Sequence, residues 1–234
     1  MTTSNARVCH RSTLDIYQTL KARIQDGFYP PNQKFNQPEL AEEFGVSRTP
    51  VIKALGMLEA EELVDNIPQR GYFIHELTVK DLLEMYQIRE AIDVAVIKDI
   101  LRNMKENEAA ELYSLFSKFI GQAEIDVREY AKMDMQFHNR LYIISQNRTV
   151  LKLQQHFGIG YRYYRAGFAF PPQETLPEHL DIIDALRKRD YEKTVTLMSK
   201  HARKTTQKIE ELADYLREIR RDPAQVPIGE FQLL

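Results

Sequence analysis

The hydropathy pattern of the chain changes once, near Leu77, and that change limits the fold more than any other feature. Before it, short helical runs and two β-rich runs alternate with glycine and proline. After it, apolar residues recur only at helical spacing. Such a chain is expected to fold as a small mixed domain followed by an all-α one.

The first part is dense with punctuation. Leu14, Tyr17, Leu20 and Ile24 recur at helical spacing and predict a helix over 13–26, which Gly27 would end. Tyr29-Pro30-Pro31-Asn32 predicts a turn. A short helix over 38–44 follows, with Pro38 tolerable in its first turn and Gly45 as its stop. Ser47 is placed to cap the next helix, expected over 47–61. Leu63–Ile67 and Tyr72–Ile74 predict two strands joined by the turn Pro68-Gln69-Arg70-Gly71. The order is helix, helix, helix, hairpin, preceded by a polar arm at 1–12.

The second part opens on Thr78-Val79-Lys80-Asp81, a start resembling a capping box. Helices are expected over 79–102, 106–121, 126–145, 148–166, 175–188 and 191–219. The predicted fold is therefore mostly α. A winged helix-turn-helix spans 13–76, an all-α bundle of six or seven helices spans 77–221, and an extended tail with two prolines and a glycine spans 222–234.

Composition narrows the function classes. No apolar run approaches the roughly 18 residues that suggest a membrane span. The polar N-terminus lacks the apolar core of a signal peptide. Cys9 is the sole cysteine, so no intrachain disulfide can form, and a reducing cytoplasm is expected. The net charge is −2, and residues 1–75 hold eight Lys/Arg against nine Asp/Glu. If this half binds DNA, a few placed cations must do so rather than a broad positive field.

In a helix-turn-helix the second helix enters the major groove while the first braces the backbone. Here 38–44 would brace and 47–61 would read. Ser47, Arg48 and Thr49 stand where free N–H groups and a positive partial charge suit phosphate. Arg48 can also reach a guanine edge through two hydrogen bonds. The hairpin makes a wing with Arg70-Gly71 at its tip, where glycine lets backbone enter the minor groove. The same element order also suits a purely structural three-helix module.

Four polar residues in the second part share a geometry. Asp134 and His138 lie four apart on one helix, beside an apolar stripe of Met133, Phe137, Leu141 and Ile144. His179 and His201 lie on consecutive helices at similar distances from the Arg189-Asp190 turn, so an antiparallel pair brings them level. Three imidazoles and a carboxylate suit a first-row transition metal: zinc, with nickel, manganese or iron as alternatives. They also suit ordinary polar positions on helix faces. His10, His75 and His156 need no special role.

The stretch Leu40-Ala41-Glu42-Glu43-Phe44-Gly45-Val46-Ser47-Arg48-Thr49-Pro50-Val51 resembles the GntR family of bacterial regulators. The resemblance runs from about Thr13 to His75, including Gln69-Arg70-Gly71-Tyr72. It implies DNA contacts from Ser47, Arg48, Thr49, Pro50, Lys53, Arg70 and Gly71. It also implies a homodimer on a palindromic operator of double-stranded DNA. The family pattern continues after the valine with arginine and glutamate, where this chain has Ile52 and Lys53. Ile52 cannot donate a hydrogen bond, so a different operator sequence is expected.

The second part resembles FCD, the ligand-sensing domain of FadR/VanR-type GntR regulators. The carriers are Asp134-x-x-Phe137-His138-x-x-Leu141, then Glu178-His179-x-x-Ile182-x-x-Ala185-Leu186, then Met198-x-x-His201. The resemblance implies a metal on Asp134, His138, His179 and His201 and a cavity for a small organic acid. Arg89 matches an arginine common on the domain's first helix and could grip a carboxylate. Arg162 and Arg165, among tyrosines, are further cavity candidates. The expected function is a transcription regulator controlled by a carboxylate metabolite, not an enzyme. Two alternatives stand beside it: a regulator whose metal is structural or is itself the signal, and, more remotely, a metal-dependent hydrolase.

Overall fold

The computed structural model describes residues 11–157 and 171–228. The chain divides into two compact units, Met1–Glu76 and Leu77–Leu234.

In the first unit, α1 (Thr13–Gln25) starts at a capping box. Ser12 accepts from the Asp15 N–H, and the Asp15 carboxylate accepts from the Ser12 N–H at 2.9 Å. The helix ends in a Schellman turn: Phe28 N–H reaches the Arg23 carbonyl at 2.9 Å and Gly27 N–H reaches Ile24 at 3.2 Å. Its buried face is Ile16, Leu20 and Ile24, four apart each time, whereas Leu14 is 51% exposed. The expected stripe through Leu14 was misplaced because six residues carry Leu14 well round the helix from Leu20.

Helix α2 (Gln37–Phe44) stops at Gly45, whose φ is 66°. Helix α3 (Arg48–Glu59) buries Val51, Ala54, Leu55 and Leu58. Strands β1 (Val64–Ile67) and β2 (Gly71–Ile74) pair antiparallel, from Val64 opposite Ile74 to Ile67 opposite Gly71. The tight wing turn needs left-handed backbone, with φ 62° at Gln69 and 95° at Gly71. One pairing was not anticipated. The Phe35 N–H donates to the Tyr72 carbonyl at 2.8 Å and the Ile74 N–H to Gln33 at 2.9 Å. Residues 33–35 thereby lie along the outer edge of β2, with Lys34 opposite Phe73.

In the second unit, α4 (Val79–Ala95) opens on the Thr78–Asp81 capping box. The expected single helix 79–102 is broken at Val96, after which α5 (Ile97–Asn103) continues. No glycine or proline marks the break. Val96 keeps its bond to Ile92 and accepts one from Ile100, so the kink turns Ile97 and Ile100 into the core at little cost. Next come α6 (Glu108–Ser117), α7 (Val127–Ser145) and α8 (Arg148–Phe157). Helix α9 (Pro172–Arg187) starts three residues before expectation, because Pro172 fits a first helical position. Helix α10 (Tyr191–Glu218) is capped by Asp190.

One cluster of apolar side chains, including Phe116, Phe137, Leu141, Ile182 and Met198, fills the space between α5, α6, α7, α9 and α10. A second joins α4 to the far end of α10 through Val79, Leu82, Tyr86, Ile209 and Leu216. The expected extended tail at 222–234 is corrected over 222–228, the rest lying outside the described residues. Asp222 caps a 3-10 turn at Pro223–Gln225, and Val226 and Ile228 are buried in that second cluster. Backbone bonds tie Val79 to Val226 and Ile228 to Leu77. Burying two branched apolar side chains outweighs the disorder that prolines and glycine favour.

Candidate functional site

Asp134 and His138 sit one turn apart on the buried face of α7. His179 comes from α9 and His201 from α10, which pack side by side. The four donor atoms lie within 4.8 Å of one another, and all four residues are buried. His179 is wholly inaccessible. Its Nε2 is 2.8 Å from Asp134 Oδ1, and His138 Nε2 is 3.8 Å from the same oxygen. The Phe116 ring lies parallel to the His179 imidazole at 4.7 Å, and Phe137 meets it edge-on.

The outer nitrogen of each imidazole has its own neighbour. His201 Nδ1 meets Glu178 Oε2 at 2.8 Å, and Lys204 steadies the other Glu178 oxygen at 2.9 Å. His138 Nδ1 stands 3.4 Å from Asp93 Oδ2. An ionised carboxylate only accepts, so it places the ring proton on Nδ1 and leaves Nε2 as a lone pair. His179 Nδ1 meets Tyr130 Oη at 2.8 Å, and Thr175 Oγ1 lies 3.1 Å beyond it. Thr175 Oγ1 also reaches the Pro171 carbonyl at 3.4 Å. With Thr175 donating to Tyr130, the phenol hydrogen is left for His179 Nδ1 and the ring proton for Nε2, beside Asp134 Oδ1; a metal at Nε2 would displace that proton. His179 Nε2 is buried within hydrogen-bond distance of Asp134 Oδ1, at 2.8 Å, whereas both ring nitrogens of buried His138 lack a hydrogen-bond partner among the described residues.

Electrostatics favour neutral imidazoles and ionised carboxylates. Burial pushes all three histidines below their ordinary value, so they are neutral. Burial works against ionisation of Asp134, but His179, His138 and Arg89 outweigh it and hold the carboxyl far below its usual range. Asp93 resists the same penalty through His138, Arg89 and Tyr142, at about 2. Glu178, opposed by burial but held by His201 and Lys204, is also at about 2. Neutral imidazoles with an ionised carboxylate are the forms that bind a metal cation. The donor set and its orphaned nitrogens therefore fit a divalent transition metal.

Arg89 is buried on α4, where its Nε donates to Asp93 Oδ2 at 3.3 Å. Tyr142 also donates to that carboxylate. Burial opposes the charge on Arg89, yet Asp93 and Asp134 raise its pKa above the ordinary value. The expected effector candidates Arg162 and Arg165 lie outside the described residues. Asp93 and Tyr130 were not singled out from sequence, and Glu178 entered only as part of the Glu178-His179 motif, without a role. Spacing could have found two of them, since Asp93 follows Arg89 by one helical turn and Tyr130 precedes Asp134 by one.

On the first unit, Ser47 holds the N-cap position of α3, but its hydroxyl makes no cap hydrogen bond. The expected cap is thus only positional. Ser47, Arg48, Thr49 and Lys53 are exposed and Pro50 is half-buried. Ile52 is 41% exposed, on the same surface as Lys53. Arg70 lies over the Phe73 ring at 5.1 Å. Two groups of cations stand apart in this unit. Lys21 is bound to Glu61 at 2.6 Å and Arg23 to Glu43. Lys34, Arg48, Lys53 and Arg70 have no carboxylate partner among the described residues. An acidic balance therefore hides a set of free positive groups on α3 and beside the wing.

Residues 12–74 match the bacterial regulatory proteins, gntR family, and residues 84–204 match the FCD domain. The chain belongs to the GntR family. It is a DNA-binding transcription regulator with an FCD effector domain, and the names of its relatives are those of regulators rather than enzymes. The HTH-type transcriptional repressor RspR of Escherichia coli K12 is 26% identical over 88% of this chain and 90% of its own length. The Nta operon transcriptional regulator of Aminobacter aminovorans is 26% identical over 79% of this chain and 88% of its own. YdhC of Bacillus subtilis, an HTH-type regulator, is 31% identical over 61% of this chain and 65% of its own, a little under two thirds of that protein. Among solved structures, a GntR regulator from Rhodococcus sp. RHA1 shares the fold at 21% identity and a TM-score of 0.72. That alignment covers 85% of the regulator described here and 97% of the Rhodococcus chain. E. coli McbR/YncC shares the fold at 18% identity and a TM-score of 0.62, over 86% of this regulator and 97% of that chain. No helix of the described residues is long and apolar enough to cross a membrane.

Proposed function

We propose that this regulator holds a divalent transition metal on Asp134, His138, His179 and His201, and that a small carboxylate metabolite completes the site and controls DNA binding. The observation that carries the proposal is the convergence of three buried imidazoles and a carboxylate within 4.8 Å, with both ring nitrogens of His138 left without a hydrogen bond among the described residues. Buried polar atoms without partners are rare and costly. Imidazole with carboxylate suits zinc first, then nickel, manganese or iron, over magnesium or calcium. When bound, the ion supplies a Lewis-acidic position for an anionic oxygen.

Charge supports a carboxylate as the effector. Asp93 and Asp134 are buried anions that share one described cation, Arg89, and this leaves one negative charge in excess. A dication reverses the sign of the excess, and a monoanionic ligand then brings the centre to neutrality. Arg89 is placed to orient that ligand, and Arg162 joins it as an effector candidate on sequence grounds. Ser47, Arg48, Thr49, Pro50, Lys53, Arg70 and Gly71 form the DNA contacts. A cytoplasmic homodimer would present two such surfaces to a palindromic operator. Effector binding would change DNA affinity only by as much as it favours one arrangement of the dimer over another.

A second role for the metal has its own support, because His179 is wholly buried against Phe116 and Phe137. The metal would then be structural, or would itself be the signal. Thermal unfolding of the full-length protein with zinc, with chelator and with a panel of small mono- and dicarboxylates separates the two. Carboxylate sensing predicts a rise in Tm from one acid that chelator abolishes. A response to metal with no added response to any acid would leave the structural or metal-sensing role.

A further inference from the structure

We infer that a cleft at the base of the wing is a binding site for a backbone phosphate of DNA, with Lys34 as its principal cation. The inference rests on the DNA-binding role of this unit and adds a contact that the helix-turn-helix motif does not contain. The cleft, of about 480 Å³, lies between the wing turn and the start of α2. Lys34, Asn36, Gln37, Gln69, Arg70 and Gly71 supply its polar lining. None of its lining residues is acidic.

Two of the lining residues are cations, and each also lies near the Phe73 ring behind them. Lys34 Nζ lies 5.9 Å and the Arg70 guanidinium 5.1 Å from the centre of the Phe73 ring. Neither has a carboxylate partner among the described residues. An anion in the cleft would be attracted by both. The nearest acidic residue in sequence, Glu39, is engaged by the Asn36 amide at 2.5 Å.

The backbone sets the site. Lys34 is held opposite Phe73 by the unanticipated edge pairing with β2, so its side chain leaves the chain at the wing rather than from a free loop. Gly71 completes the wall: a Cβ there would meet the Lys34 stem at 3.8 Å and the Gln37 amide at 4.0 Å. The amides of Gln37 and Gln69 add neutral donors for phosphate oxygens. The occupant is DNA backbone, because the cleft shares Arg70 and Gly71 with the wing. A phosphate beside a wing is reached by the same approach that brings the wing to the minor groove.

The test uses full-length protein and a duplex that the wild-type protein selects from a random pool. Affinity is measured across a salt series for wild type, Lys34→Met, Lys34→Arg and Lys80→Met. Lys80 lies on α4 of the helical unit, paired with Glu84 at 3.7 Å, and controls for bulk charge. Losing one phosphate contact lowers the slope of log affinity against log salt by about 0.9. Between about 50 and 200 mM salt, Lys34→Met should thus lose roughly three- to fourfold less affinity than wild type does. Its preference among duplex sequences should be unchanged. Lys34→Arg should restore the slope and Lys80→Met should keep it. If the Met variant does not fold, Lys34→Gln reads the same quantity. An unchanged slope in Lys34→Met, or an equal drop in Lys80→Met, overturns the phosphate site while leaving the regulator DNA-binding. Failure of wild type to select any duplex overturns the DNA reading and the site with it.

Discussion

The two units place their functional groups in opposite ways. On the DNA-reading unit, Arg48, Lys53 and Arg70 are exposed and carry no counter-charge among the described residues. In the helical unit, the Asp134–His138–His179–His201 cluster is buried, and a neighbour meets each imidazole on its outer side. The first arrangement waits for a partner that supplies the missing charge. The second is preorganised, and the protein has already met most of the desolvation cost of its polar groups. Substitutions should therefore separate affinity from stability in the first unit and couple them in the second.

The sharpest test of the contrast is His179→Ala. Metal content of the purified protein should fall from one equivalent to background, a loss beyond the ~100-fold seen on removing outer-sphere partners. Unliganded DNA affinity should remain close to wild type. Loss of helical circular dichroism instead would show that the cluster is needed for folding rather than sensing.

Glu178→Gln probes the outer support alone. The amide oxygen of the replacement could still meet His201 Nδ1, but with a weaker hold on the ring proton. Metal affinity should drop by ~10- to 100-fold in a competition titration against a chelator. An unchanged affinity would mean that packing, not Glu178, orients His201.

Arg48→Ala should behave in the opposite sense. Operator affinity should weaken by about 1–3 kcal/mol with relaxed preference at one base pair. The unfolding temperature should stay within a degree or so, since the side chain is exposed and has no ion-pair partner among the described residues. A marked fall in Tm would break the separation between affinity and stability.

The smallest effect is expected at Ile52. It is an exposed apolar side chain on α3 where the family pattern has arginine. Ile52→Arg should leave folding untouched and shift the preferred duplex toward guanine at one position, by about one base pair's worth of discrimination, ~1–3 kcal/mol. Identical selected sequences for both proteins would remove Ile52 from the reading surface.

Much of the first unit was legible from residues alone. Gly27 and Gly45 end their helices, and the three-helix-plus-hairpin order stands with strand and helix ends shifted by a residue or two. These are local effects of backbone permissiveness and capping. The donor set Asp134, His138, His179 and His201 was also readable, because helical spacing and a short interhelical turn fix level and face. Less visible were the kink at Val96, the seating of Val226 and Ile228, and the pairing of Lys34 with β2. Each depends on contacts between residues far apart in sequence, where no local signal competes.

The winged helix-turn-helix with its free cations, and the choice of ligand types for a metal, follow from the order of residues, since period, capping and side-chain chemistry act within a few positions. Tertiary structure alone decided which nitrogen of each histidine faces inward. It did so by bringing Asp93, Tyr130 and Glu178 from three helices against His138, His179 and His201. It also placed Lys34 beside Arg70 across the wing. Burial removes the water that would otherwise satisfy those groups, so only neighbours assembled by packing can set their protons and their charge.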